Sequence, residues 1–215
     1  MFTVRTLREG RWPILIFAAL TLIFLPQTRW WSCTLSSISL ALLLFTISFF
    51  RDPTRALPAE TNAIVAPADG RIVEIKTVHE PHFLNGPATM VAIFLSVFDV
   101  HVQRAPIDGE IKFVQYNPGK FLDARDATAS LQNENRVVGI ESVDGFRVTV
   151  RQIAGLIARR IVGWADTGAK LKKGERLGMI RFGSRVELFL PQGTEIAAQV
   201  GDYAKGGETI IARRK

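Results

Sequence analysis

The sequence predicts a mainly β domain, two packed sheets or a flattened barrel and α+β at most, preceded by an N-terminal transmembrane helical hairpin. Three observations carry this expectation. Short runs rich in β-branched and aromatic residues recur from Ile64 onward: Arg71–Lys76, Met90–Leu95, Glu110–Tyr116, Phe146–Arg151 and Arg185–Leu190. Asp69-Gly70, Asp108-Gly109 and Asp144-Gly145 stand between them as turn dipeptides, and no long amphipathic helix can be placed. Ahead of all of them lie two stretches without charge.

Trp12–Thr28 is the first, and Ser32–Phe50, 19 residues, is the second. At ~1.5 Å per residue the second spans roughly 28 Å, close to the thickness of a bilayer's hydrocarbon. Arg5, Arg8 and Arg11 precede an apolar stretch, so a signal peptide competes, but Gln27-Thr28-Arg29-Trp30-Trp31 follows Leu25 where a small-residue cleavage site belongs. Trp12, Trp30 and Trp31 sit at interfacial positions. Cations flank both ends of the pair (Arg5, Arg8 and Arg11; Arg51 and Arg55), with Arg29 alone between, which places both ends in the cytoplasm. Residues 1–52 are thus expected to be a membrane anchor with hydrophobic segments at about 12–28 and 32–50. Residues 53–215 are expected to be a cytoplasmic β-rich domain, entered through the linker Arg51–Pro58.

Composition narrows the function. A 47% hydrophobic content with 14 Phe provides a core, and the single Cys33 excludes an intrachain disulfide framework. Three histidines without ligand spacing give no metal site. The net charge of +7 asks for an anionic partner. The membrane segments favour acidic lipid over nucleic acid, because aromatic residues are not interleaved with the cations as strand-stacking would require. Asn117–Asn135 is polar, aperiodic and long for a passive connection, which suggests a functional loop. Gly168–Leu177 and Gly201–Ile210 echo one another through a shared Gly…Lys-Gly-(x)-Glu frame.

Gly183-Ser184 sits between strand-like apolar residues, where an unhindered carbonyl meets a hydroxyl. Alone the pair says little, since chance supplies about 0.7 such dipeptides in this composition. Asp69 alone reads as a turn residue, and His101 alone as a half-buried strand histidine. The three stand in Ala66-Pro67-Ala68-Asp69-Gly70, in Phe94–Gly109 around Asp99-Val100-His101, and in Phe182–Pro191. In this order and spacing they resemble the phosphatidylserine decarboxylase family, in its short membrane-anchored form, from about Phe50 to the C-terminus.

The resemblance implies a self-processing, pyruvoyl-dependent proenzyme. Ser184 Oγ would attack the Gly183 carbonyl, and elimination and hydrolysis would leave a pyruvoyl group at position 184. Two chains, 1–183 and 184–215, would remain folded together. The resemblance assigns activation of Ser184 to His101 and the fixing of its tautomer to Asp69. It makes pyruvate the cofactor and an anionic phospholipid, phosphatidylserine, the substrate, with phosphatidylethanolamine and CO2 as products. Arg104 stands where longer members have a second histidine; it is a candidate for binding phosphate or carboxylate, as are Lys120 and Arg136 at the ends of the long loop. Phe182 and Arg185 also depart from the usual Leu-Gly-Ser-Thr. A lipoyl- or biotin-carrier-like β module, which shares the Ala-Pro-x-Asp-Gly turn, remains the alternative. Homo-oligomerisation stays open.

Overall fold

The computed structural model describes residues 3–27, 29–123, 129–156, 160–181 and 184–214. The chain divides into two compact units, Met1–Thr54 and Arg55–Lys215. The first consists of helices α1 (Val4–Phe24) and α2 (Trp30–Phe49). α1 starts earlier than the uncharged run because Thr3 caps it. The Thr3 hydroxyl accepts from Thr6 N at 3.4 Å and Thr6 Oγ1 accepts from Thr3 N at 3.1 Å, so the three leading arginines lie within the helix. α2 buries Ser32, Ser36, Ser39 and Thr46, and Ser39 Oγ donates to the Phe17 carbonyl of α1 at 2.8 Å. Leu35, Ile38, Leu42 and Leu44 point outward instead. A surface helix of a water-soluble protein has the reverse arrangement, whereas small hydrogen-bonding interfaces suit helices surrounded by lipid. Among the described helices, α2 is the one long and apolar enough to cross a bilayer.

The second unit opens with β1 (Ala63–Val65), β2 (Gly70–Glu80), β3 (Gly86–Leu95), β4 (Val102–Arg104) and β5 (Gly109–Asn117). The short helix α3 (Ala129–Gln132) precedes β6 (Asn135–Glu141), β7 (Arg147–Ala154), β8 (Ile161–Gly163), β9 (Lys170–Leu171) and β10 (Arg176–Ile180). β11 (Ser184–Pro191), β12 (Glu195–Ile196), β13 (Tyr203–Ala204) and β14 (Ile210–Arg213) follow. The fold is mainly β, as expected. An eight-stranded antiparallel sheet, ordered β13-β2-β3-β11-β7-β6-β5-β9, curls into half a barrel, and two three-stranded sheets, β1-β14-β12 and β4-β10-β8, complete the unit. Ile72, Ile93, Val138, Val150, Val186 and Leu188 contribute to one buried core. Alternation along β11 sends Val186 and Leu188 into that core and Arg185, Glu187 and Phe189 to the opposite face.

The topology contains an internal duplication. β13 meets β2 through Tyr203↔Arg71 and Ala204↔Gly70, and β9 meets β5 through Lys170↔Glu110 and Leu171↔Gly109. Gly201 N donates to Ile72 O and Gly168 N to Ile111 O, each at 2.8 Å. The β1–β14 and β4–β10 pairs carry the same irregularity, passing over Ile211 in one and Leu177 in the other. Gly168, Gly174, Gly201 and Gly207 all have positive φ, so the echoed Gly-Lys-Gly frames are one backbone motif used twice. The second copy, residues 102–180, is continuous. The first is assembled from residues 63–95 and 184–213, with the second inserted into it.

This nesting changes the reading of the Asp-Gly dipeptides. Of the three, Asp144-Gly145 lies in a hairpin turn, between β6 and β7, with Gly145 at φ 82°. Asp69-Gly70 and Asp108-Gly109 open β2 and β5 instead. Their carboxylates accept equivalent backbone N–H groups, Asp69 from Gly206 at 2.8 Å and Asp108 from Lys173 at 3.0 Å. At Gly70, φ is 145° and a Cβ would stand 2.1 Å from the Phe94 carbonyl oxygen, so no side chain fits.

Candidate active site

The two joints of the insertion lie at one end of the central strands of the large sheet. β3 ends at Leu95, β11 starts at Ser184 and β7 ends at Ala154, and the register sets Ser184 opposite both Leu95 and Ala154. In the continuous copy, the corresponding connection from β6 to β7 is the hairpin Ser142–Phe146. In the interrupted copy it has been opened, and the chain leaves through residues 96–101 and returns through residues 181–183. Gly183 lies outside the described residues. Ser184 is fully buried, and its Oγ has no hydrogen-bond partner among them.

His101 stands on the outgoing joint and is also fully buried. Its Nδ1 is 2.9 Å from the Asp99 carbonyl oxygen. A carbonyl can only accept, so Nδ1 carries the hydrogen and, in the neutral ring, Nε2 carries the lone pair. The Asp99 carboxylate fixes the turn, accepting from Ser96 N at 2.7 Å and from Tyr203 Oη at 2.6 Å. The His101 carbonyl accepts from Ile180 N at 3.3 Å. Four residues of chain reach at most about 14 Å, so Ser184 cannot stray far from His101.

A buried amide relay holds the histidine's main chain from below. Gln103 Nε2 donates to the His101 carbonyl at 2.9 Å, Gln152 Nε2 to Gln103 Oε1 at 2.9 Å, and Arg136 Nη1 to Gln152 Oε1 at 3.2 Å. Arg136 also donates to the Ala165 carbonyl and packs against Gly163, where a Cβ would come within 2.6 Å of its Cζ. Arg104 is buried as well and donates to the Gly174 carbonyl at 2.9 Å. Lys120, in contrast, is exposed and donates to Gln132 Oε1 at 3.0 Å. The long loop reaches the site edge through Asn133, whose Nδ2 donates to the Ala154 carbonyl at 2.8 Å.

Asp69 lies just ahead of β2, whose start pairs with the end of β3 at the same end of the sheet. Arg55 Nη2 donates to both of its oxygens at 2.8 Å, and the two side chains are 6% and 7% exposed. Burial raises the Asp69 carboxyl above the usual aspartate value, against the pull of Arg55 and the Gly206 N–H; the nearby Asp99 charge adds to the rise. Asp108, its counterpart in the other copy, keeps the backbone bond but is exposed and has no ion pair among the described residues. The backbone bond therefore belongs to the duplicated architecture, while burial and Arg55 are particular to Asp69. Sequence reasoning left Arg55 in the linker and passed over Asp99, Gln103, Gln152 and Tyr203. Nothing in their local patterns marks them.

Comparison with known proteins identifies the family. The family model described as phosphatidylserine decarboxylase matches residues 42–212. The phosphatidylserine decarboxylase proenzyme of Symbiobacterium thermophilum is 45% identical over 206 residues, covering 96% of this chain and 94% of that protein. The proenzyme of Carboxydothermus hydrogenoformans is 44% identical, covering 97% and 96%, and that of Paraburkholderia phymatum 42%, covering 95% of each. The chain belongs to the phosphatidylserine decarboxylase family.

Proposed function

We propose that this chain is a self-cleaving proenzyme whose mature form decarboxylates phosphatidylserine to phosphatidylethanolamine and CO2 at a membrane. The names of its relatives support the substrate and the precursor state. The observation that carries the reading is the Ser184 hydroxyl, fully buried and without a hydrogen-bond partner among the described residues. A buried polar oxygen left so is destabilising, and such groups mark reactive positions.

In the self-cleavage, His101 Nε2 takes the Oγ proton of Ser184 as Oγ bonds to the Gly183 carbonyl carbon. The C–N bond breaks, the proton passes to nitrogen, and an ester with a free Ser184 amine results. Removal of the residue-184 Cα proton then expels the Gly183 carboxylate from Cβ. The dehydroalanine left behind takes up one water and releases ammonia, giving a terminal pyruvoyl group. The residues present fit that group. Cβ becomes a methyl and the partnerless Oγ disappears, in a position flanked by the buried Leu95 and Ala154.

The pyruvoyl carbonyl supplies an electron sink for the departing carboxylate. His101, held by Asp99 and by the amide relay, would return a proton to the substrate's α-carbon. Asp69, with Arg55 beside it, supplies negative charge near the histidine's turn. A two-span anchor with residues 53–215 on the cytoplasmic side is part of the proposal; the length of α2, its outward leucines and the flanking arginines support it.

Mass spectrometry of the purified chain tests the cleavage. Two pieces, 1–183 and 184–215, are expected, and Ser184→Ala should give one uncut, inactive chain. A single unbroken wild-type chain that releases CO2 from phosphatidylserine would refute the mechanism.

A further inference from the structure

Cleavage before Ser184 would leave the reacting position as the first residue of a new chain, joined to the protein covalently through Arg185 alone. Chain termini fray unless tied down. The other copy of the duplication has no such difficulty, because the hairpin Ser142–Phe146 closes its corresponding joint. There the counterpart of Arg185 is Arg147, half-exposed and paired with Glu141 on the adjoining strand.

Arg185 is built differently. Its side chain is 4% exposed; Nε donates to Glu187 Oε1 at 2.8 Å and Nη2 to Glu74 Oε2 at 2.7 Å. Glu187, fully buried, also accepts from Arg151 Nε and from Ser130 Oγ, each at 2.8 Å. Glu74, Ala92, Glu187 and Arg151 form one row across β2, β3, β11 and β7, because Ala92 is in register with both glutamates and Glu187 with Arg151. The small Ala92 leaves room above β3 for Arg185 to reach Glu74. The clamp thus ties the second residue of β11 to strands on both sides and, through Ser130, to α3. All of it lies on the face of β11 opposite the Ser184 side chain.

We propose that Arg185 is a positioning residue that pins the newly cut terminus, keeping the group at position 184 in its buried seat. This rests on the pyruvoyl reading above. The network has no part in the bond rearrangement, so its removal acts mainly after the cut.

The test uses the full chain in detergent, comparing wild type with Arg185→Met, Arg185→Lys and Glu74→Gln. Three quantities are followed: the fraction cleaved, the rate at which a fluorescent hydrazide labels the small chain, and kcat and KM on phosphatidylserine micelles. Arg185→Met should still cleave, label on the order of tenfold faster as its terminus swings into solvent, and lose on the order of tenfold or more in kcat with little change in KM. Arg185→Lys should recover part of both effects. Glu74→Gln, which removes one partly exposed arm, should shift both in the same direction by less. Wild-type labelling and kcat in a cleaved Arg185→Met overturn the proposal, as does a misfolded Arg185→Met accompanied by an unchanged Glu74→Gln. A wild-type chain that yields no labelled small piece sinks the pyruvoyl chemistry itself, whereas a labelled wild type with indifferent variants sinks the clamp alone.

Discussion

Gln152→Leu tests whether the amide relay positions His101. Leucine nearly matches glutamine in volume, so the substitution removes hydrogen bonds without opening a large cavity. Two buried polar atoms lose partners: Gln103 Oε1, 2.9 Å from Gln152 Nε2, and Arg136 Nη1, 3.2 Å from Gln152 Oε1. Each orphaned group costs about 1–3 kcal/mol, and Arg136 keeps its bond to the Ala165 carbonyl, so a net loss of about 3 kcal/mol is expected. For a domain of this size that lowers Tm by roughly 6–12 °C, leaving it folded at 25 °C. With Gln103 free to turn, the His101 carbonyl loses a donor, and a displacement of the imidazole by a fraction of an ångström slows self-cleavage on the order of tenfold to a hundredfold. Precursor appearance and loss on a denaturing gel gives the rate, and a thermal scan in detergent gives the stability. Gln152→Glu separates the two effects, because its carboxylate still accepts from Arg136 but no longer donates to Gln103. It should recover stability more than cleavage. If Gln152→Leu is destabilised as computed yet cleaves at the wild-type rate, the relay is structural and does not position the histidine.

Arg55→Gln removes the cation that opposes burial at Asp69 and so raises that carboxyl further. If self-cleavage needs the ionised aspartate, its acid limb should move to higher pH; a pH–rate profile identical to wild type would separate Asp69 from the reaction. At the far end of β2, Glu80 is buried, which alone would raise its carboxyl, but the backbone N–H groups of Leu84, Phe83 and His82 and the Thr149 hydroxyl outweigh this and lower it. A lowered native value adds stability above the unfolded value that is lost as pH falls through the folded one. Glu80→Gln should therefore be destabilising by about 2–4 kcal/mol at pH 7 and nearly neutral under acid conditions, measured by thermal unfolding across pH. Gly70→Ala forces a Cβ against the Phe94 carbonyl and should impair both folding and cleavage, whereas Gly145→Ala, with open space around it, should show only the modest strain of its positive φ.

The five strand segments were legible because each is rich in β-branched and aromatic residues; β2, β3, β5, β7 and β11 coincide with them, except that Phe146 falls in the turn before β7. The two-residue strands β9, β12 and β13 are too short to show a period and exist by pairing alone. β2 runs on through His79 to Glu80, whose capped turn sharpens the hairpin. The Gly-Lys-Gly echo was visible, but the duplication behind it was not. Ala66-Pro67-Ala68-Asp69-Gly70 and Ala105-Pro106-Ile107-Asp108-Gly109 belong to the same repeat. One copy is nested inside the other, so the two motifs recur at different intervals and no single period emerges. Ser184, His101 and Asp69 could be singled out through their motifs. Arg55 and the glutamine relay could not, because their roles come from burial and long-range partners that composition does not encode.

The nesting also explains why a cut at this place is compatible with an intact fold. A hairpin ordinarily depends on its turn to keep two strands in register. Here the β3–β11 pair has no turn, and its eight register pairs, from Ser184↔Leu95 to Pro191↔Ala88, already hold without one, with β7 on the other side of β11. The connection after β10 carries the chain back to the interrupted copy but closes no tight loop between β3 and β11. Severing it should therefore release little pairing energy, and the small chain keeps β12, β13 and β14 bound to the first copy through β1 and β2. The same opening leaves the first residue of β11 at the strand's end, four residues of chain from Ile180 and its bond to the His101 carbonyl, where the closed copy has only the turn residue Phe146. At the joint that the duplication left open, the proposed cut would therefore surrender a backbone bond and gain a reactive terminus while the strand beneath it stays held on both sides.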